Sequence, residues 1–437
     1  MFLPKLTAYD PEVKSEGSID PLGLVPIADR LSVNLVPGVR ERMSHPRYLS
    51  LITAGVALCQ EYPADTLAKD GISNPLQVFE WLVVQSLVKN FKANGTLLGL
   101  PGSDKANDAM KRGIPLNAPR YLRVPSVFGF YGVYKTLARD IGLIEGDRLG
   151  EPGDKLVRIW EKEQNLQGYY SALNGPGTLF KSKLKKAIDD GLKAGAVDRN
   201  WSWSFFDEIA EKLNPATIGR TEAKTLFEQL KFDKDERRKE IIDGLLLYTE
   251  KYKLEKGIDE SHFHGFLIKH VRQELKDMLN AIKTYELFSR TLTNAFESIL
   301  YKLSTQANKG SLKDLEGLEA VKYAAQNIPT QYFNAYQALH KTKEENAFQK
   351  FFGRFDQTYN NKQFVETILS HHTEVQKRKP PFGKTNWVET FQGNLVILRP
   401  NYTRKKSLVN DDVNAYVYFY RSASLLSFLK DLRKLNG

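Results

Sequence analysis

Helical periodicity dominates this sequence and predicts a mainly α, multi-domain helical protein with a candidate winged-helix or helix-turn-helix unit and a small C-terminal β hairpin. Three observations carry that reading. Apolar residues recur at helical spacing along most of the chain, and Pro, Gly and Asn mark where the segments stop. One stretch, Trp387 to Leu398, instead sets two short apolar runs around Gln392-Gly393-Asn394, as a hairpin does. A chain of 437 residues exceeds one simple core, so we divide it into an N-terminal helical domain (1–120), a winged-helix-like or helix-turn-helix region (121–255) and a helical bundle with hairpin and final helix (256–437).

In chain order, the first 47 residues are punctuated by Asp20-Pro21-Leu22-Gly23-Leu24, Val36-Pro37-Gly38 and His45-Pro46-Arg47, which are turn signals. A helix should follow from Tyr48 to Glu61, and Asn74-Pro75 caps a second through Phe91. Gly95 to Arg123, rich in Gly and Pro, reads as a long loop. Ser126 caps a helix carrying Phe130, Tyr134, Leu137 and Ile141 and ended by Gly142; Gly146 to Asp154 then suits the wing of a winged helix. Ser204 and Thr221 each open a helix on either side of Asn214-Pro215, a helix-turn-helix pattern. Asp235–Leu254 and Glu260–Gln306 read as long amphipathic helices, Lys377-Arg378-Lys379-Pro380-Pro381 as a helix stop, and Asp411-Asp412 as the start of a final helix bearing Tyr416, Phe419, Leu425 and Phe428.

Hydrophobic residues at 41% and aromatics at 11% argue for a folded chain rather than a disordered one. The single cysteine, Cys59, excludes an internal disulfide and a cysteine-rich zinc site, fits a reducing compartment, and follows an apolar run where it should simply pack. Met1 to Asp10 has no secretory pattern, and the longest apolar stretch, Tyr48 to Cys59, falls short of the roughly twenty residues that cross a bilayer. Cytoplasmic placement without a membrane partner is the expectation.

No catalytic pattern emerges. Gly383-Lys384-Thr385 supplies only the end of a phosphate-binding loop, because Arg378 stands where its first glycine belongs. His262 and His264, and the adjacent His371 and His372, diverge on a helix and read as solvated or capping residues rather than metal ligands. Glu222-Ala223-Lys224 and Glu274-Leu275-Lys276 have the letters of a nuclease triplet, yet positions two apart on a helix face away from each other. We therefore assign no catalytic residue, no metal ligand and no cofactor.

What remains is charge. The chain carries a net charge of +11, which favours polyanionic partners. From Gln376 to Lys406 there are eight cations (Lys377, Arg378, Lys379, Lys384, Arg399, Arg404, Lys405, Lys406) against one acid, Glu389, with Trp387, Phe391 and Tyr402 between them. Cations with aromatics suit a phosphate backbone and exposed bases. Lys181, Lys183, Lys185 and Lys186 form a second cluster; Arg40, Arg42, Arg47, Lys111, Arg112, Arg120 and Arg123 form a scattered third.

The run Gly17-Ser18-Ile19-Asp20-Pro21-Leu22-Gly23-Leu24, followed by Val36-Pro37-Gly38-Val39-Arg40 and Arg47-Tyr48-Leu49, resembles the opening of uncharacterised bacterial proteins encoded in anti-phage defence and DNA-modification islands. The resemblance is confined to that N-terminal segment, implies a bacterial multi-gene setting with DNA-processing partners, and carries over no functional residue. The leading expectation is thus a non-enzymatic DNA-binding or scaffold subunit of a bacterial anti-phage defence complex, with duplex DNA and the complex's other subunits as partners. Two alternatives stand beside it: a protein-interaction subunit with an acidic protein partner, and a metal-dependent nuclease with a dispersed site.

Overall fold

The computed structural model describes residues 20–91, 99–122, 129–252, 257–380, 382–391 and 394–435. Seventeen α-helices and five short strands lie among them, so the mainly α reading holds. The first helices are α1 (Val25–Leu35), α2 (Tyr48–Cys59), α3 (Pro75–Phe91), α4 (Ser103–Lys111) and α5 (Phe130–Asp140). A two-stranded hairpin, β1 (Ile144–Glu145) and β2 (Arg148–Leu149), leads to α6 (Glu151–Glu163), α7 (Pro176–Ala194), α8 (Phe205–Lys212), α9 (Arg220–Leu230) and α10 (Arg237–Lys251). Then come α11 (Glu260–Leu267), α12 (Gln273–Thr305), β3 (Lys309–Ser311), α13 (Leu312–Glu316), α14 (Glu319–His340), α15 (Glu345–Phe352) and α16 (Asn361–Arg378). Strands β4 (Val388–Phe391) and β5 (Leu395–Leu398) precede α17 (Ser422–Asp431). The chain separates into two compact units, one of residues 20–32 and 260–420, the other of 33–259 and 421–435.

In the second of these, α2 and α3 form the buried centre. Every residue of α2 except Cys59 is buried, with α5 and α6 packed against it. Helix α3 starts as its sequence predicts: the Asn74 Oδ1 accepts from the Gln77 N–H at 2.9 Å, Gln77 Oε1 accepts from the Asn74 N–H at 2.9 Å, and Pro75 occupies the first turn. Two arginines are wholly internal. Arg47 pairs with Glu222 at 3.1 Å and donates to Thr217 Oγ1 and the Asn214 carbonyl, while Arg238 donates to Pro37 O at 2.6 Å and Asp140 at 2.7 Å. Each ties elements distant in sequence, and neither could lose its partners without leaving a desolvated charge.

Three expectations change in this unit. The stretch expected to be a loop, Gly95 to Arg123, contains α4 and a 3-10 turn at Ala118–Arg120 among its described residues; the flanking Gly and Pro mark the ends of that helix. The expected cap Ser126 and Arg123 lie outside the described residues. A winged-helix unit is not shown. The supposed wing, Gly146 to Asp154, is a tight two-stranded turn followed by the first turn of α6, and a Cβ on Gly153 would stand 2.0 Å from Leu143 O, so this helix start is pressed onto β1's approach. The helix-turn-helix candidate likewise resolves into two helices with different main partners, α8 on α3 and α9 on α6. Helix α9 opens at Arg220 because Glu163 accepts from the Thr221 N–H (2.7 Å) and the Glu222 N–H (3.0 Å).

The other unit is organised by α12, 33 residues long, packed along α14. Phe288 on α12 meets Phe348, Phe352, Phe355 and Tyr332 edge to face, an arrangement favoured by ring quadrupoles. The single helix expected over Glu260–Gln306 is two, because the chain is extended at Arg272 between α11 and α12. The expected hairpin forms, with Val388 opposite Leu398 and Phe391 opposite Leu395, and β3 adds a third strand in the order β3-β5-β4.

The final helix begins at Ser422 rather than Asp411. Before it, residues 415–420 are held by side chains: Arg290 donates to Ala415 O (2.9 Å) and Tyr416 O (2.7 Å), and Glu286 accepts from the Val417 N–H and the Tyr420 hydroxyl. Backbone groups satisfied this way have no need of a helix. Among the described residues no helix is long and apolar enough to cross a membrane.

Candidate nucleic-acid interface

The C-terminal basic element is assembled at the end of α16. Gly383 N–H donates to Lys379 O at 2.7 Å and Lys384 N–H to Gln376 O at 2.9 Å, with Gly383 at φ +82°, so the chain folds back on the helix terminus. Gly383-Lys384-Thr385 is therefore a helix-ending turn rather than a phosphate loop. The turn sets Lys377, Arg378 and Lys384 beside Phe382, whose side chain is 98% exposed. Three residues further, Trp387 stacks on Tyr402 (centroids 4.5 Å apart, planes 10° from parallel), and the Arg404 guanidinium lies over the same tryptophan at 5.5 Å. Both basic segments, 377–384 and 404–406, thus meet around Trp387.

Ion pairing sorts the eight expected cations. Arg404 is bidentate to Glu297 (2.7 and 2.8 Å), with the two side chains only 19% and 12% exposed. Arg399 pairs with Glu389 at 2.5 Å, and Arg378 reaches Glu374 at 3.4 Å, a carboxylate that also holds Arg354. Lys379 is half-buried; desolvation lowers its pKa, and the Asp20 charge opposes that shift. Lys377, Lys384, Lys405 and Lys406 have no carboxylate at ion-pair distance among the described residues, and all but the partly covered Lys384 are exposed.

The second cluster is paired throughout. On α7, Lys181 (2.6 Å) and Lys185 (3.0 Å) share Glu61, Lys183 faces Glu208 at 3.9 Å, and Lys186 faces Asp190 at 3.6 Å. Desolvation raises the Glu61 pKa, but the hydrogen bonds and charges of the two lysines together outweigh it and hold the carboxyl below its usual value. In the scattered cluster Arg47 is the buried partner of Glu222, Arg112 pairs with Asp108 at 3.2 Å, and Arg40 donates to Thr136 at 3.3 Å.

The histidines expected to be solvated or capping are largely internal. His371 Nε2–H donates to Leu22 O (2.8 Å); His372 Nδ1–H donates to Pro21 O (2.8 Å) while its Nε2 accepts from Trp387 N–H (3.0 Å). Burial lowers both pKa values to about 4 and that of His264 to about 3, so these rings are neutral. Glu222 serves Arg47 from inside while Lys224 points to solvent, so that triplet cannot act together. No group of three or more His, Cys, Asp or Glu placed to hold a metal lies among the described residues.

Two carboxylates stand out that sequence patterns did not single out. Glu80 and Glu286 are buried, and desolvation pushes each up to about 7. Glu80 accepts from the Tyr121 hydroxyl (2.7 Å) and Tyr131 N–H (3.2 Å) at the start of α5, beside a cavity of about 380 Å³ also lined by Cys59, Lys135 and Arg148. Its one sequence signal is an acid inside the apolar run Val78-Phe79-Glu80-Trp81-Leu82. Phe382 was equally unmarked, since a single Phe after two prolines is ambiguous. Comparison of the chain with protein-family models, curated proteins and solved structures found no match.

Proposed function

We propose that this chain is a non-enzymatic DNA-binding subunit of a bacterial multi-protein assembly, contacting duplex DNA through its C-terminal basic element. The observation that carries the reading is that Lys377, Lys384, Lys405 and Lys406 have no carboxylate at ion-pair distance among the described residues, in two segments joined through the Arg404 guanidinium over the Trp387–Tyr402 stack, with Phe382 exposed in the first of them. Unpaired lysines can exchange solvent counterions for phosphates at no loss of internal ion pairs. A bare aromatic next to them offers a face for a base at a frayed or distorted step. The N-terminal resemblance supports a setting among DNA-processing partners in anti-phage defence.

Gel-shift titration of the full chain with duplex DNA at about 50 and 200 mM salt tests the reading, because each phosphate contact contributes about −0.9 to the slope of log K on log salt. The expected result is binding with a slope of several contacts and little sequence preference. Absence of binding at the lower salt overturns it.

A further inference from the structure

The turn between α2 and α3 borders a cavity of about 380 Å³, inside the range of about 300–1,000 Å³ that small-molecule sites occupy. Val56 and Cys59, three apart on one face of α2, form one wall, Pro63 and Ala64 of the turn a second, and Pro75 and Leu76 at the start of α3 a third. None of these side chains is a strong hydrogen-bonding group, so the body of an occupant has to be apolar. Tyr131, in the first turn of α5, adds an aromatic ring.

The polar lining is biased toward donors. In the Asn74–Gln77 capping box both side-chain oxygens accept backbone N–H groups, which leaves Asn74 Nδ2 and Gln77 Nε2 as donors without an acceptor among the described residues. The same turn is the positive end of a 17-residue helix. Lys135 on α5 and Arg148 on β2 also line the cavity; Lys135 Nζ stands 5.5 Å from the Tyr131 ring centroid, and neither cation has a carboxylate at ion-pair distance among the described residues. Two acids are present as well. Asp147 is exposed in the hairpin turn, whereas Glu80 is 3% exposed, one of its oxygens accepting the Tyr121 O–H and the other the Tyr131 N–H. Desolvation pushes the Glu80 pKa up to about 7, so it carries only part of a charge at neutral pH. Two cations against one fully charged acid suit an occupant with a single negative charge rather than two.

We propose that this cavity binds a small monocarboxylate with an apolar, ring-sized body, the body lying between α2 and α3 and the carboxylate drawn to Lys135 and Arg148. The cavity belongs to the unit that contains residues 33–259 and shares no residue with the C-terminal basic element, so it stands or falls apart from the DNA reading.

Calorimetric titration of the full chain at neutral pH with 2-naphthoate and with its neutral isostere 2-naphthamide is the test. Naphthoate should bind at least about tenfold more tightly than the amide, the scale of one charge-assisted contact, and 2-naphthyl phosphate, a dianion, no more tightly than naphthoate. Lys135→Gln combined with Arg148→Gln breaks no ion pair, should leave the melting temperature nearly unchanged, and should erase the preference for naphthoate over the amide. Leu76→Trp fills the cavity from its half-buried wall and should weaken both probes about tenfold or more. The proposal is overturned if naphthoate does not bind at about 1 mM, if the amide binds as tightly, or if the phosphate binds more tightly. It is also overturned if the double Gln variant, or folded Leu76→Trp, binds naphthoate as the parent chain does.

Discussion

Helix α7 and the C-terminal element look alike in composition and differ in what their cations do. On α7 all four lysines of the cluster face carboxylates, two of them sharing Glu61. Around Trp387 the arginines are paired and Lys377, Lys384, Lys405 and Lys406 are not. The difference teaches that a run of cations is a binding signal only after the acids that reach it in space are subtracted. Within the C-terminal element the residue types also separate: the planar, forked guanidinium groups of Arg378, Arg399 and Arg404 go to the carboxylate pairs, and the flexible ammonium groups do not.

The largest effect expected from disturbing this pattern lies in the third, scattered cluster. Arg47→Gln should destabilise by about 3–5 kcal/mol, because Glu222 would stay buried and unpaired; denaturant unfolding would read it. Arg404→Gln should cost about 2 kcal/mol in the same assay, since Glu297 loses a bidentate partner in a mostly covered site. Hence replacing all six of Lys377, Arg378, Lys379, Arg404, Lys405 and Lys406 would confound folding with binding. The clean variant neutralises Lys377, Lys384, Lys405 and Lys406 to Gln. It should change stability by under about 1 kcal/mol and flatten the salt dependence of DNA binding by up to about four contacts. An unaltered slope in a folded protein would reduce those lysines to solvated surface. A smaller change is expected from Glu61→Gln, which frees Lys181 and Lys185 and should make the salt slope steeper by up to about two contacts, an inversion of the comparison itself. Smallest of all, neutralising Lys181, Lys183, Lys185 and Lys186 to Gln should leave DNA affinity where it was.

Local signals were readable where a neighbour in sequence completes them. Asn74 with Gln77 caps α3, the basic run that follows Gln376 ends α16, and β4 pairs with β5 a few residues on, Phe391 opposite Leu395. What escaped depends on distant partners. Strand β3 is the polar tripeptide Lys309-Gly310-Ser311, a strand only because β5 lies beside it. Residues 411–421 have helix-compatible spacing, but Arg290 and Glu286 hold the backbone at 415–420 in another conformation. For the interface, the mixture of cations and aromatics was legible, while the sorting of bound from free cations was not. Glu297 is 107 residues from Arg404, and Glu61 is 124 from Lys185.

The carboxyl of Glu286 gives the chain a property measurable without any partner. With its pKa near 7 in the folded protein against the ordinary 4.5, it is mostly protonated at pH 6 when folded and mostly ionised when unfolded. Folding at that pH therefore takes up a proton, and Glu80, shifted the same way, takes up a second. The sign follows directly: this contribution to stability is complete below about pH 4.5 and is lost as pH rises through about 7. Refolding heats measured near pH 6 in two buffers of different ionisation enthalpy should differ by the enthalpy of up to about two protons, and Glu286→Gln should remove close to one of them.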